Sequence, residues 1–126
     1  MSILHITHDL AVVASHAQRV LVMYSGRIVE DVAVDDLMSQ PAHPYTLGLF
    51  ACRPRLGARR SRLALIPGSV PDPAARPSGC AFHPRCPFAN DRCAAETPEM
   101  ERVSDRHRVA CFEWSRVQAA GRWPDA

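Results

Sequence analysis

The sequence contains no lysine, and all fifteen of its basic residues are arginine. Its net charge of +2 is too small to indicate a nucleic-acid partner. No apolar run approaches the roughly 20 residues that a membrane-spanning helix needs. Met1 leads directly into ILHIT, without the basic region and cleavage site of a signal peptide. We therefore expect a cytosolic chain whose 126 residues form one small domain, or a domain with an appendage.

Cysteine is concentrated in one short stretch. Four of the five cysteines, Cys80, Cys86, Cys93 and Cys111, stand there with the spacing C-x5-C-x6-C-x17-C. The stretch has too few apolar residues for a core of its own, and such lobes are usually held by covalent or metal bonds. The sequence therefore predicts that the four sulfurs converge on one centre.

Four kinds of chemistry are compatible with this spacing. Disulfides need an oxidising compartment, which the expected cytosolic location disfavours. Structural zinc favours shorter C-x2-4-C pairs, whereas an iron–sulfur cluster takes four thiolates at wider spacing. Reduced cysteines can also serve as small buried apolar residues, but the clustering disfavours that interpretation. Spacing favours a metal or a cluster over disulfides and does not decide between iron–sulfur and zinc.

The chain begins with a predicted strand and helix. Ile3 to Thr7 is typical of a short buried strand, and the apolar residues of LAVVASHA follow at helical spacing. We expect Thr7 or His8 at the N-cap and Asp9 in the first turn. By position alone, His8 is more simply a polar capping residue than a ligand-binding one, although ligands often bind at the carboxyl ends of strands.

A hairpin and two short helices are predicted next. Arg19–Tyr24 and the segment RIVE flank a two-residue Ser-Gly turn, which indicates a β-hairpin. The segment VDDLMS predicts a helix whose Asp35 and Asp36 suit the positive end of its dipole better than they suit a metal site. His43-Pro44-Tyr45 opens another helix, on which Cys52 is most simply a small buried residue.

The second half is less regular. Residues 53–62 carry five arginines, which indicates a solvated linker rather than a phosphate or lipid-headgroup contact. A short strand is predicted over 63–66. Six prolines between positions 67 and 87 predict an extended, turn-rich stretch. Residues 108–114 are expected to form a strand that brings Cys111 back to the other cysteines, and the residues from Ser115 onward are expected to fray.

Several motifs, in this order, resemble one family. THDL with its apolar helix and RVLVMYSGRIVE are similar to the end of an ABC-transporter ATPase domain. PAHPYTLGL, IPGSVP and the four-cysteine stretch resemble the C-terminal extension of the ATP-binding subunits of dipeptide and oligopeptide importers. The resemblance covers about residues 2–114, and HPYT followed by the four cysteines is its most specific part.

This resemblance implies roles for particular residues. His8 corresponds to the switch histidine, which in such ATPases contacts the γ-phosphate of ATP and helps to orient the attacking water. For His8, the resemblance therefore favours this catalytic role over the capping role that position alone suggests. Cys80, Cys86, Cys93 and Cys111 match a cysteine set that is similar to a structural 4Fe-4S site, with zinc as the alternative. ATP and Mg are implied for the complete family member.

The sequence also departs from the family. It has no G-x4-G-K-S/T phosphate loop, no LSGGQ-like signature, no glutamine loop and no strand ending in Asp-Glu to hold magnesium. We therefore expect the C-terminal remnant of a transporter ATPase, from a truncated gene, a split gene or a misplaced start, which is inactive alone.

The expected fold class is α/β: a strand, helix, β-hairpin and short helices, followed by a small irregular cysteine-rich lobe. The expected units are the end of the ATPase domain (1–53), an Arg/Pro-rich linker (54–79), the lobe (80–114) and a tail (115–126). Because the first unit is only part of a larger sheet, we expect exposed or poorly covered apolar side chains there. They are Ile3, Ile6, Val13, Val20 and Val22.

Three functions remain open from the sequence. The first is a piece of a peptide-importer ATPase, located at the inner face of the membrane with permease subunits, a partner ATPase and a separately encoded N-terminal half. The second is a metal- or iron–sulfur-binding module that docks on such a complex. The third is an unrelated small redox or zinc protein, which the order of the motifs disfavours.

Overall fold

A β-hairpin lies at the centre of the fold, in a computed structural model that describes residues 1–52 and 65–124. Strands β1 (Arg19–Tyr24) and β2 (Arg27–Ala33) pair antiparallel. Ser25 and Gly26 have φ angles of 47° and 75°. Two successive positive φ angles are what a two-residue turn needs to match the twist of its strands, so the predicted hairpin is confirmed.

The cysteine-rich half extends the same sheet. Strands β3 (Glu101–Ser104) and β4 (His107–Val109) form a second hairpin, and β4 pairs with β2. The strand order is β1-β2-β4-β3, all antiparallel. One sheet therefore joins the hairpin near the start of the chain to the segment that precedes Cys111.

Five α-helices and one turn of 3₁₀-helix surround this sheet in the described residues. They are α1 (Leu10–His16), α2 (Val34–Ser39), α3 (Pro44–Ala51), the 3₁₀ turn (His83–Arg85), α4 (Asp91–Ala95) and α5 (Trp114–Ala120). The predicted helices at LAVVASHA, VDDLMS and HPYT are confirmed, and so is the α/β fold class. No helix of residues 1–52 and 65–124 is long and apolar enough to cross a bilayer.

The main core combines residues from both halves of the chain. Val22, Tyr24, Val29, Val32 and Leu37 come from the first hairpin and α2, and they pack with Phe82 and Trp123. Phe82 lies between two of the cysteines in sequence and is 1% exposed. Two smaller clusters continue the core beside the cysteines, one with Ala42, Val109 and Cys111, the other with Leu47, Phe88 and Val117.

The predicted strand at Ile3–Thr7 is wrong. Residues 1–7 form no strand and pair with no strand of the described chain, and Ile3 and Ile6 are 77% and 91% exposed. A strand needs a neighbour for its backbone groups, and none is present there. Of the five apolar side chains expected to lack cover, these two are confirmed as exposed.

Three of those apolar side chains are better covered than expected. Val13 and Val20 are half-buried, whereas Val22 is buried in the main core, so its expected exposure is wrong. For Val22 the physical reason is that Phe82 and Trp123, from the second half of the chain, pack in the same core, against which Val20 also packs. The helix N-cap also differs from prediction, because Asp9 occupies it and accepts from the backbone of Ala11.

The expected frayed tail is wrong as well. Residues from Trp114 form helix α5, where Val117 is fully buried, and Trp123 packs in the main core. The predicted strand over 108–114 is shorter than expected, since β4 ends at Val109. The predicted arginine-rich linker over 53–62 lies outside the described residues. Of the predicted strand over 63–66, residues 65 and 66 are described and are not in a strand.

We expect Gly48→Ala to destabilise the fold. A Cβ at Gly48 would lie 2.8 Å from the Ile66 side chain and 3.0 Å from the Trp123 ring. Overpacking of this kind costs about 1–3 kcal/mol, which exceeds the gain of up to about 1 kcal/mol from replacing glycine by alanine in a helix. Chemical denaturation should show a lower free energy of unfolding.

The double variant Gly48→Ala/Ile66→Ala is the control for this expectation. Shortening Ile66 removes the closest contact of the new Cβ. The double variant should therefore lose less free energy of unfolding than the sum of the losses in the two single variants. Strict additivity of the two losses would contradict the proposed contact.

Candidate metal centre

The four clustered cysteines surround one cavity. Cys80, Cys86, Cys93 and Cys111 all line a space of about 10 Å³. His43 and Pro44 at the start of α3 line it too, together with Phe82, Phe88 and Phe112. The sulfurs are thus enclosed by aromatic and proline side chains, and two segments far apart in the sequence contribute walls.

Local backbone bonds position the first three cysteines. Cys80 donates from its backbone nitrogen to the carbonyl of Cys93 at 2.8 Å. Gly79 precedes it with a φ of +66°, and a Cβ there would lie 2.4 Å from that same carbonyl oxygen. Cys86 ends the 3₁₀ turn, and Cys93 lies on α4, whose N-cap Asn90 accepts from the Cys93 nitrogen at 3.1 Å. Glycine at position 79 is therefore required by the close approach of two cysteine-bearing segments.

Cys111 reaches the cavity from the sheet. It lies two residues after Val109, the last residue of β4, and Ala110 donates to the carbonyl of Val29 at 2.9 Å. Cys111 packs with Ala42 and Val109. The pairing of β4 with β2 therefore decides where the fourth cysteine lies.

Burial disfavours the charged form of these cysteines. Burial raises the pKa of the Cys80 and Cys111 thiols, and it raises the pKa of Cys86 to about 12. Neighbouring cysteines act in the same direction, because thiolates near one another repel. Without a cation these three thiols are held protonated, and a bound cation would reverse this balance.

The donor set fits a thiolate-bound metal in chemistry. Four sulfur donors in an apolar surrounding suit zinc or an iron–sulfur cluster. Among residues 1–52 and 65–124, however, no three His, Cys, Asp or Glu side chains already have positions that could hold a metal ion. A space of about 10 Å³ corresponds to about one water molecule. The residues present therefore fit the ligand type, and ligand binding would need side-chain adjustment.

The other candidate residues lie elsewhere. Cys52 is the C-cap of α3 and does not line the cavity, and it is half-buried. His8 is exposed, just before the N-cap residue of α1. Asp35 and Asp36 lie in the first turn of α2, as predicted, and Asp36 is 3.5 Å from the Arg106 guanidinium.

A buried carboxylate beside the cavity escaped the sequence analysis. Glu30 on β2 is fully buried and accepts from the backbone nitrogens of Ala42 and His43, from the hydroxyl of Thr46 and from Nε2 of His107. A buried charge is tolerated when hydrogen bonds compensate it. The available sequence signal was that Glu30 shares a strand face with Val32, by the two-residue period of a strand.

A second missed residue is Arg85, which lies next to Cys86. Its guanidinium donates to the carbonyl of Pro67 at 2.7 Å, to that of Gly68 at 3.3 Å and to the Tyr24 hydroxyl at 3.3 Å. The IPGSVP segment is thereby fixed to the 3₁₀ turn that carries the second cysteine.

The sequence has close relatives among known proteins. The family described as "Oligopeptide/dipeptide transporter, C-terminal region" matches residues 29–93, more than half of the chain. The chain belongs to this family. The matched residues include most of β2 with Glu30, the HPYT helix and the first three cysteines of the cavity.

Named relatives agree with this assignment. A Brucella ovis relative, named as a peptide import ATP-binding protein, is 47% identical over 94% of this chain and 37% of its own length. The oligopeptide transport ATP-binding protein AppD of Bacillus subtilis is 48% identical over 88% of this chain and 34% of its own. The dipeptide transport ATP-binding protein DppD of Escherichia coli is 42% identical over the same shares. The chain spans about a third of the length of these relatives.

Stability should fall as the pH drops through the range in which His43 titrates. Burial lowers the pKa of His43 from 6.5 to about 4, and Nδ1 accepts a hydrogen bond from the Tyr45 nitrogen. Below pH 6.5 the unfolded chain binds a proton that the folded chain does not, so unfolding is favoured. The free energy of unfolding near pH 4 should be about 3 kcal/mol lower than near pH 7.

His43→Asn is the matched variant for this pH dependence. Asparagine can accept the same capping bond but does not titrate. Between pH 7 and pH 4, the free energy of unfolding should fall less steeply for His43→Asn than for the wild type. This difference in slope does not depend on how much stability the substitution loses through packing. Equal slopes for the two proteins would contradict a neutral buried His43.

Proposed function

We propose that this chain is the C-terminal part of the ATP-binding subunit that energises ATP-driven import of dipeptides and oligopeptides across the cytoplasmic membrane. The observation that carries the proposal is the family match over residues 29–93, with relatives named for peptide transport aligned over most of the chain. The proposed units are the end of the ATPase domain (1–53), a linker (54–79), the four-cysteine lobe (80–114) and a terminal segment (115–126).

His8 is the proposed catalytic contribution of this chain in a complete ATPase. Its imidazole would contact the γ-phosphate of ATP and orient the attacking water. The exposure of His8 supports this role, since the side chain has no partner that would compete with a nucleotide among the hydrogen bonds of the described residues. The phosphate loop, the signature and the magnesium-binding strand would have to come from elsewhere, because these 126 residues contain none of them.

The proposed partners follow from the same assignment. They are the permease membrane subunits, a partner ATPase subunit and a separately encoded N-terminal half. The proposed location is the cytoplasmic side of the membrane, where such a subunit would sit as a peripheral protein. The exposed apolar side chains of residues 3–6 support an N-terminal half, because they offer a surface for further strands.

The proposed ligands of a structural centre are Cys80, Cys86, Cys93 and Cys111. A 4Fe-4S cluster is the first candidate and zinc is the alternative. When bound, such a group would supply metal–thiolate bonds that cross-link the 3₁₀ turn, α4 and the end of β4. The shared cavity and the soft donor set support this assignment.

A second candidate function is a non-catalytic docking module that binds a metal or an iron–sulfur cluster. The observation that favours it is that the four-cysteine cavity lies within the described chain, whereas the phosphate-binding motifs of an ATPase do not occur in the sequence. Such a module would dock on an ATPase or a permease subunit without binding nucleotide.

The isolated chain should neither bind nor hydrolyse ATP. No phosphate cradle exists in its sequence, and one histidine offers a single contact to the nucleotide. Calorimetric titration of the purified chain with ATP and magnesium should show no binding heat. Tight binding would reveal a nucleotide site that the motifs do not predict.

A complemented ATPase provides the contrasting measurement. When the chain is combined with an N-terminal half that carries a phosphate loop, hydrolysis should appear, and His8→Ala should abolish it without preventing assembly. His16→Ala, which changes another exposed histidine at the far end of α1, should hydrolyse ATP like the wild type. Full activity of the His8→Ala assembly would exclude the switch role.

Anaerobic purification should give a brown protein whose broad absorption bleaches on reduction. Cys86→Ser should lose this absorption because it removes one of four ligands, whereas Cys52→Ser should keep it because Cys52 lies outside the cavity. If the wild type is colourless and carries one equivalent of zinc, the group bound by the four cysteines is zinc and not an iron–sulfur cluster. A wild type without metal would overturn the centre.

A further inference from the structure

Two walls of the cysteine cavity are held together by one side chain. His43 and Pro44 form the wall from α3, and Cys111 forms the wall that follows β4. Glu30 bonds to the backbone at the start of α3 and to His107 of β4, the strand that leads to Cys111. We propose that Glu30 is a positioning residue of the four-cysteine centre, which fixes Cys111 relative to α3; the proposal's metal-binding arm rests on the metal-binding role proposed above.

Each carboxylate oxygen of Glu30 accepts two hydrogen bonds. Oε1 accepts from the Ala42 nitrogen at 2.7 Å and from Nε2 of His107 at 2.7 Å. Oε2 accepts from the His43 nitrogen at 3.2 Å and from the Thr46 hydroxyl. Each oxygen therefore joins more than one partner, and Oε1 links α3's N-terminal side to β4 directly.

The two ends of this link lie close to residues that line the cavity. Ala42 packs with Val109 and Cys111 in one buried cluster, and His43 is the N-cap of α3 and lines the cavity. His107 begins β4, four residues before Cys111. Loosening either bond of Oε1 would therefore let Cys111 move relative to the wall from α3.

A carboxylate is specifically suited to this place. Glu30 is fully buried, and its four partners all present N–H or O–H groups that can donate. An ionised carboxylate only accepts, so it matches all four. A glutamine of the same shape would direct its NH₂ group at donors, and a buried donor facing a donor is costly.

The first measurement uses the metal-free full chain. Alkylation by iodoacetamide, followed by mass spectrometry of peptides, gives a labelling rate for each cysteine. In Glu30→Gln the rate at Cys111 should rise by about tenfold, the change expected when one buried hydrogen bond is lost. The rate at Cys52, which lies outside the cavity, should stay at its wild-type value.

The second measurement uses Co²⁺ as the probe. Thiolate-to-cobalt absorption reports both the affinity and the geometry of sulfur ligands. Glu30→Gln should weaken Co²⁺ binding by about 10- to 100-fold, the range seen when groups that orient metal ligands are changed. It should also lower the absorption per bound cobalt, which a loss of overall stability alone would not do.

Matched variants separate positioning from general destabilisation. Asp31→Asn removes the next carboxylate along β2, whose side-chain hydrogen bonds among the described residues are to Arg19, at 2.7 Å. It should label and bind cobalt like the wild type. Thr46→Val removes one donor to Glu30, whereas Thr46→Ser keeps the hydroxyl and should restore wild-type behaviour.

The outcomes distinguish this proposal from the metal proposal. Selective labelling of Cys111 in Glu30→Gln and Thr46→Val, but not in Asp31→Asn, supports positioning by Glu30 even if the wild type binds no cobalt. Absence of cobalt binding by the wild type overturns the metal role alone. If Glu30→Gln folds and its Cys111 labels at the same rate as in Asp31→Asn, the positioning role is overturned. If Glu30→Gln does not fold, the labelling rate at Cys111 is compared between Thr46→Val and Thr46→Ser, and equal rates overturn the role.

Discussion

The structure depends on a carboxylate that is buried where the two halves of the chain meet. Glu30 carries no exposed surface, and its cost of burial is offset by four hydrogen bonds that reach α3 and β4. Removing one partner from such a group leaves a buried charge incompletely compensated, which typically costs several kcal/mol. The hairpin, the HPYT helix and the cysteine-bearing half therefore specify one another's positions.

Local sequence signals were sufficient for the elements that form within a few residues. The Ser25-Gly26 turn between apolar runs predicts the β1–β2 hairpin, and Pro44 predicts the start of α3. The cysteine spacing pointed to four of the residues that line the cavity, although it could not give their geometry. In the first two cases the residues that determine the element are neighbours in the chain, and in the third they stand within one stretch, from Cys80 to Cys111.

The elements that sequence could not give depend on contacts between distant residues. Ile3–Thr7 is apolar, but a strand is defined by a neighbour, and the described chain offers none. Residues after Ser115 contain few apolar side chains, yet Val117 and Trp123 find partners in cores built mostly by earlier segments. Glu30 and His107 are polar residue types that are buried where β4 pairs with β2 and α3 packs against them.

The connection between β2 and β4 has a consequence for the order of folding. The first hairpin closes over a two-residue turn, whereas the bond from Glu30 to His107 joins residues 77 apart. Closing a long loop is entropically costly and slow, so we expect the local hairpin and α3 to form before β4 docks. A cross-link among the cysteines would shorten the free segment between Cys80 and Cys111. It would thus speed the docking of β4 as well as stabilise the folded state.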